Sequence, residues 1–528
     1  MSPKIIFHGA CGTVTGSCFE VRTSRAGILI DCGMFQGSKT AKSLNYEAFS
    51  FTPSTIAAVL LTHAHIDHCG LIPRLVSHGF TGPIHATAAT AGLLDYVLPD
   101  SGFIQELEVE RLNRRNAQRG RPEVTPIYTH AEAQACLSRV RPHEVGEWIA
   151  VAPGFRARFW DAAHILGSVS IELEVSESGD IGAGDTRRLL FSGDIGPGNK
   201  DFHGSPESPA DVDYVIMEST YGDRRRLPAT SGQRREMLAA ELRPALQDHG
   251  LVLIPAFAVE RTQELLADLA QLFADGKLAR VPVFLDSPLA IKATKVFATH
   301  LNGNKGEGVF DLHAADVHFV EDANESRKLN RLRGGAIIMA GSGMCDAGRI
   351  RHHLKAHLAR PDNTVLLVGY QAPGTLGHLI AHGAAMVRIQ GEEVAVAARI
   401  RKLDEYSGHA DQGQLLAWAQ ARLPVHQDFI LVHGEDAARE NLREVLTAGG
   451  ISASRIKSPL LGETIRLTER GAETISVRAR APSSSALAAD WHNQYAASVL
   501  ALKAKLDAAP DDEARQKLLG RVRAAIDK

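Results

Sequence analysis

Six consecutive positions constrain this chain more than any others. Directly after the short, nearly all-apolar run Ala57–Thr62, the sequence reads His63-Ala64-His65-Ile66-Asp67-His68. A run of that kind is what a strand buried on both faces requires. Four ligand-type side chains therefore stand at the end of a buried strand, where leaving them unpaired would be costly. In extended chain, positions i and i+2 point the same way, so His63 and His65 can grip one cation. Asp67 and His68 follow a bend and can serve a second. Imidazole and carboxylate without thiolate suit zinc, with manganese or iron as options.

Three later segments repeat the pattern of an apolar strand ending in a ligand-type residue. Phe159-Trp160-Asp161-Ala162-Ala163 leads to His164, Leu189-Leu190-Phe191-Ser192-Gly193 leads to Asp194, and Phe429-Ile430-Leu431-Val432 leads to His433. Each alone is weak. Together with the first cluster they complete two ligand sets: His63, His65, His164 and Asp194 for one metal, and Asp67, His68, His433 and Asp194 for the other, with Asp194 shared. Two metals held about 3.5–4 Å apart can share a hydroxide and clamp the oxygens of an in-line displacement. Asp31, closing Ile28-Leu29-Ile30, is expected to orient one of the ligand histidines.

The chain around these residues is long and ordinary in composition. Its 528 residues predict two to four domains. With 58 basic and 61 acidic residues the formal charge is −3, which excludes a protein that holds nucleic acid by overall positive charge. No run approaches the roughly 18 apolar residues of a membrane span, so no membrane partner is expected. The N-terminus makes a poor secretory signal. None of the six cysteines forms a C-x-x-C pair, so neither a zinc knuckle nor a disulfide framework is indicated and the cytoplasm is the expected compartment.

The first 220 or so residues read as short strands separated by glycine-rich turns. Strands are expected at Lys4–Phe7, Ser17–Val21 and Ile28–Asp31, and helical patches after Gly70 and Thr87. From about 222 to 370 strands and helices alternate, including a helix over Asp346–Ala359. This implies right-handed β-α-β units around a parallel sheet, hence a second domain. A strand over Val394–Ile400 follows. Ala481–Ser485 reads as a linker. Beyond it, apolar residues at helical spacing (Trp491, Tyr495, Val499, Leu502, Leu506; then Leu518, Leu519, Val522, Ile526) predict a helical hairpin, with a homo-oligomer contact as its sharper use.

The series Asp31, His63-x-His65-x-Asp67-His68, His164, Asp194 resembles the metallo-β-lactamase superfamily. Glu218 in Met217-Glu218-Ser219-Thr220-Tyr221-Gly222, His409 in Tyr406-Ser407-Gly408-His409-Ala410-Asp411, and His433 in Val432-His433-Gly434-Glu435 resemble motifs A, B and C of its β-CASP nucleases. The resemblance covers roughly residues 1–465. It is similar to bacterial and archaeal relatives of the cleavage and polyadenylation endonuclease, with ribonuclease J a more distant cousin. It implies an αββα metallo-β-lactamase sandwich over 1–221 and 371–480, an inserted α/β β-CASP domain over 222–370 that caps the metals, and a linker and helical tail over 481–528. A histidine at motif C implies RNA rather than DNA as the substrate.

The expected activity is therefore hydrolysis of single-stranded RNA by a hydroxide bridging two zinc ions. Asp67, Glu218 and His409 are the catalytic candidates. His409 can hold a scissile phosphate oxygen or protonate the leaving oxygen, and Glu218 can orient it. Backbone N–H groups at Ser342 and Gly343, before the helix expected at 346, can meet a phosphate. His378 in Gly374-Thr375-Leu376-Gly377-His378 is a further candidate contact. Two basic segments can guide RNA: Arg111, Arg114, Arg115, Arg119 and Arg121, and Arg224, Arg225 and Arg226. The second is preferred because it sits at the domain junction.

The rival readings are a small-molecule hydrolase on the same metals, a catalytically silent RNA-binding scaffold and a DNA nuclease. The first has no need of Glu218 or His409, the second would lack ligands that are all present here, and the third is disfavoured by His433. A flavodiiron oxidoreductase would want a flavodoxin-like domain after the hydrolase domain rather than an insertion.

Overall fold

A computed structural model of the chain describes residues 2–182, 184–198, 200–226, 229–303, 315–369, 371, 375–477, 502 and 505–526. Among these residues the strands form two mixed sheets, one parallel sheet and one hairpin. The first sheet runs in the order 471–477, 463–468, 4–7, 19–22, 27–30, 56–60, 84–87, 140–143. The second runs 456–457, 429–432, 214–218, 187–191, 169–175, 155–161, 148–152.

The two sheets stack because their strands alternate. Ile28, Ile30, Ala58 and Leu60 of the first sheet meet Leu189, Phe191, Ile216, Ile430 and Val432 of the second in one buried core. The intervening residues face outward. Leu29 and Val59 pack with the helices Ile72–Ser77, Ala88–Gln118 and His130–Cys136. Leu190, Val215, Met217 and Leu431 pack with the helices Gln412–Gln420 and Asp436–Ala448. Helix, sheet, sheet, helix is the sandwich that the metallo-β-lactamase resemblance implies.

The third sheet, in the order 317–319, 283–285, 336–340, 251–255, 364–368, 399–403, is parallel throughout. Both of its faces are buried, Val252 and Ile254 in one core and Leu251 and Leu253 in another. That is why these strands read as continuous apolar runs.

Three local expectations are corrected. The alternating body does not end near 370, since Arg399–Leu403 pairs in register with Thr364–Val368 and extends the third sheet to Leu403. The strand expected over Val394–Ile400 is two elements. The first, Glu392–Ala395, forms an antiparallel hairpin with Met386–Ile389. Its two-residue turn, Gln390-Gly391, has positive φ at both positions (52° and 92°), as tight hairpins require. The helix expected to begin at Asp346 begins at Ile350. Gly348, at φ 70°, brings its Cα so close to the Gly341 carbonyl that a Cβ would lie 2.2 Å from that oxygen.

No helix among the described residues is long and apolar enough to cross a membrane. All six cysteines are buried and unpaired. Of the expected tail hairpin, the helix Asp512–Ile526 is present and leaves Leu518, Leu519 and Val522 partly exposed. The stripe at Trp491, Tyr495 and Val499, like the linker 481–485, lies outside the described residues.

Candidate metal centre

Sheet topology places the ligand-type residues together. Strands 187–191, 214–218 and 429–432 run parallel to one another, so Asp194, Glu218 and His433 emerge at one edge. Strands 27–30 and 56–60 are also parallel, which sets Asp31 beside Thr62 and His63. After Leu60 the chain stays extended, then turns into the short helix Ile66–Cys69 that carries Asp67 and His68. His63 and His65 converge as the i, i+2 spacing requires, with His63 Nε2 3.1 Å from His65 Nδ1.

Two groups of side chains result. In the first, His164 Nε2 lies 3.2 Å from His65 Nδ1, and Asp194 Oδ2 lies 3.6 Å from His63 Nε2 and 3.5 Å from His164 Nε2. In the second, His68 Nε2 lies 3.1 Å from His433 Nε2, and Asp67 Oδ2 is 3.7 Å from His433 Nε2. The other carboxylate oxygen of Asp194 reaches this group, 3.3 Å from His68 Nε2. Asp194 thus stands between the two groups with one oxygen toward each.

The far side of most of these rings is fixed. His68 Nδ1 is 2.7 Å from Asp31 Oδ2. The Thr62 hydroxyl donates to Asp31 and so accepts from His63 Nδ1, at 3.0 Å. His164 Nδ1 donates to the Gly408 carbonyl at 2.8 Å. The Thr220 hydroxyl donates to the His433 carbonyl and accepts from His433 Nδ1 at 3.1 Å. Each of these four contacts can take the outer proton of its ring, which leaves the inward nitrogen for a cation.

This is a fit to divalent cations. His63, His68, His164, Asp194 and His433 are each at least 96% buried, and Asp194 Oδ1 has no hydrogen-bond partner. Inward nitrogens 3.1–3.2 Å apart match the roughly 3.3 Å edge of a tetrahedron drawn at about 2.0–2.1 Å around zinc. Burial holds the His63 and His164 imidazoles well below the usual histidine range, and His65 at about 4, so all three are neutral ligands near pH 7. Burial would raise the Asp194 carboxyl, but His433 and His68 hold it well below the carboxylate range. Burial likewise opposes the charged form of His68, and Asp194 and Asp31 overcome it and push that imidazole up.

Above this floor sits His409. Its Nδ1 is 3.3 Å from Glu218 Oε1 and 3.9 Å from Asp194 Oδ2. Glu218 is buried and held in place by the N–H groups of Ile195 and Thr220. His409 and Asp67 keep 21% and 20% of their side chains exposed and His65 is half-buried, whereas His63, His68, His164, Asp194 and His433 keep almost none. That side is the open approach.

The proposed RNA contacts fare differently. Ser342 spends its N–H on the Ala347 carbonyl, so it is not a free phosphate donor. Gly343 is required by packing: a Cβ there would meet the Phe257 ring at 2.6 Å. His378 lies against the tilted His382 ring with centroids 4.0 Å apart, places Nδ1 3.2 Å from the Gln371 carbonyl and belongs to neither ligand group. Arg225 binds the Gln412 side chain, and Arg224 lies over the Tyr221 ring, which itself faces His409. Arg226 donates to the His409 carbonyl and so supports that loop.

Residue-by-residue reading missed the supports. Thr62, Ser17 and Thr220 are unremarkable in sequence, yet they fix Asp31 and three ligand rings. Glu260 was invisible too. It lies in the second α/β body, has φ 71°, and accepts the Leu166 N–H two residues past His164 while pairing with His203 at 2.7 Å. Only the hydroxyls beside ligand positions offered a signal in advance.

Comparison with known proteins agrees with this geometry. Residues 11–145 match the metallo-beta-lactamase superfamily, 262–380 the Beta-Casp domain, and 393–455 the Zn-dependent metallo-hydrolase RNA specificity domain. A ribonuclease of Thermus thermophilus is 36% identical over 459 residues, 85% of this chain and 97% of its own. The RNase J-like protein of Methanocaldococcus jannaschii is 29% identical over 81% of this chain and 92% of its own. Transcription termination factor FttA of Methanosarcina mazei is 29% identical over 82% and 67%. The metal-type cluster, its α/β cap and the span carrying His409 and His433 thus agree with these matches, and the chain belongs to the β-CASP ribonucleases of the metallo-β-lactamase superfamily.

Proposed function

We propose that this protein hydrolyses phosphodiester bonds of single-stranded RNA using two zinc ions. His63, His65, His164 and Asp194 would hold one, and Asp67, His68, His433 and Asp194 the other. Bound divalent cations supply Lewis acidity, which lowers the pKa of water and offsets phosphoryl charge. The remaining work falls to the chain itself. Asp31, Thr62, Gly408 and Thr220 keep the ligand rings in the right tautomer and orientation. His409, with Nδ1 on Glu218, keeps Nε2 for the substrate, where it would donate to a phosphoryl oxygen or protonate the leaving oxygen. Arg224 and Arg225 stand at the rim of that opening as contacts for the RNA backbone.

The carrying observation is the convergence of seven ligand-type side chains beneath His409. The RNA preference rests on His433 at motif C and on the RNA-specificity match over 393–455. Water as nucleophile leaves a 5′-phosphate and a 3′-hydroxyl. The test is metal analysis of the purified protein joined to cleavage of end-labelled single-stranded RNA and the same sequence as DNA. About two zinc per chain and RNA-selective cleavage with those ends are expected. Metal-independent products ending in a 2′,3′-cyclic phosphate would defeat the reading. End mapping also separates internal cutting from stepwise removal at the 5′ end.

A further inference from the structure

Far from the metal centre lies a cleft of about 770 Å³. Three elements meet there. Arg111 and Arg115 come from the long helix Ala88–Gln118, Arg351 and His352 from the helix Ile350–His357, and Arg388 and Gln390 from the hairpin Met386–Ala395. No carboxylate lines it. Among the described residues none of the four arginines forms an ion pair. The hairpin's Glu392 is committed to Lys355 at 2.5 Å. In a chain of net charge −3, four guanidinium groups without a carboxylate partner around one cleft are a strong local departure, Arg388 donating only to the Gly391 carbonyl. The field is felt by His352, held down by burial and then by His353, Arg351, Lys355 and Arg111.

Guanidinium forks match the oxygens of a phosphate. Apart from the His352 imidazole, which the Gln390 amide approaches at 3.2 Å, the lining offers no ring for a base, so the ligand it fits is a sugar-phosphate backbone. The long helix also fixes where such a strand would be going. At its start, the Thr87 and Thr90 hydroxyls donate to the Gly167 carbonyl at 2.7 and 2.9 Å, three residues past His164. Arg111 is 23 residues beyond Ala88, roughly 35 Å along the axis at about 1.5 Å per residue. That span corresponds to roughly ten nucleotides at the stacked spacing of about 3.4 Å, fewer when extended.

We propose that the arginine cleft is a distal anchor for the phosphate backbone of the RNA strand whose scissile bond lies at the metal centre. This rests on the ribonuclease reading above. The anchor bridges the two bodies of the protein, so long substrates hold the cap and the sandwich together, and short substrates do not reach it.

The test compares the metal-loaded full chain with two variants, the double change Arg111→Ala and Arg115→Ala, and Arg388→Ala alone. All three side chains are exposed, so folding is spared, and turnover of a short RNA confirms it. Substrates are single-stranded RNAs of about 5 and about 20 nucleotides. For the long RNA, KM of the double variant should rise on the order of five- to tenfold with kcat unchanged. Its dependence on log salt should flatten by about 1.4, since each phosphate neutralised contributes about 0.7 for a single strand. Arg388→Ala should show about half of both effects, and neither variant should differ on the short RNA. A wild type inactive on both lengths would overturn the ribonuclease reading and this one with it. A wild type active on both, with variants that match it on the long RNA, would overturn the anchor alone. So would variants that lose binding of inorganic tripolyphosphate while cleaving long RNA normally, because the cleft would then be a small-polyanion site.

Discussion

Replacing Asp31 by asparagine isolates the support of one metal group from the ligands themselves. Asp31 touches no substrate. Its Oδ2 accepts from His68 Nδ1 at 2.7 Å and from Ser17 Oγ at 3.1 Å, and its Oδ1 accepts the Thr62 N–H at 2.8 Å. Its backbone sits at φ 60°, a region asparagine tolerates better than most residues. The change therefore keeps size and backbone and removes only the charge and one acceptor. A hydrogen bond to a charged group contributes about 1.5–3 kcal/mol, equivalent to about 10–100-fold in affinity at about 1.4 kcal/mol per decade. Outer partners of metal ligands typically give the same range. The loss should be uneven. His68 serves only the group with Asp67 and His433, whereas His63 keeps its Thr62 partner. Zinc titration of the stripped protein should show one site weakened about 10–100-fold and the other within about threefold of wild type. Cleavage at limiting zinc should fall with the weak site and recover when zinc is raised. Equal weakening of both sites, or none, would refute the argument that Asp31 acts through His68.

Other consequences can be checked alongside. His65→Ala or Asp67→Ala should each abolish cleavage, and full turnover in a preparation of verified metal content would remove them from the centre. His409→Ala should lower kcat by about 10²–10⁴ while leaving metal stoichiometry intact; metal loss would instead make His409 a ligand. Glu260→Ala unpairs the buried His203 and the Leu166 N–H, and should cost about 3 kcal/mol in urea unfolding. Burial holds His85 and His357 at about 4 in the fold, against about 6.5 unfolded. The unfolded chain therefore binds more protons between these values. Each residue's contribution is complete above pH 6.5 and is lost as pH falls toward 4, on the order of 1–3 kcal/mol. His85→Gln should flatten the stability profile of the metal-free protein over that window, and an unchanged slope would refute the assignment.

Much of this molecule was legible in the residues because metal chemistry is intolerant. Only a few side chains ligate, they need a strand end to converge on, and buried ligands need partners. The four ligand-ended apolar strands follow from that alone, and the structure brings their candidate ligands within 4.8 Å of one another in two groups. Errors fell where the local signal was weak. A Gln-Gly turn disguised a hairpin, a glycine at φ 70° delayed a helix, and the strand 399–403 joined a sheet whose other members end thirty residues earlier.

The sequence by itself singled out candidate metal ligands and the strands that must be buried, since ligand type and apolar pattern are local properties. What it left open, only the packed chain decided. Thr62, Thr220 and Glu260 act through partners up to 213 residues away, and the arginines of the distal cleft come from elements more than 230 positions apart. A hydroxyl or a guanidinium has the same chemistry anywhere. Its role is set by what the fold brings within about 3 Å of it, and that neighbourhood exists only once the sheets have stacked and the α/β body has packed against them.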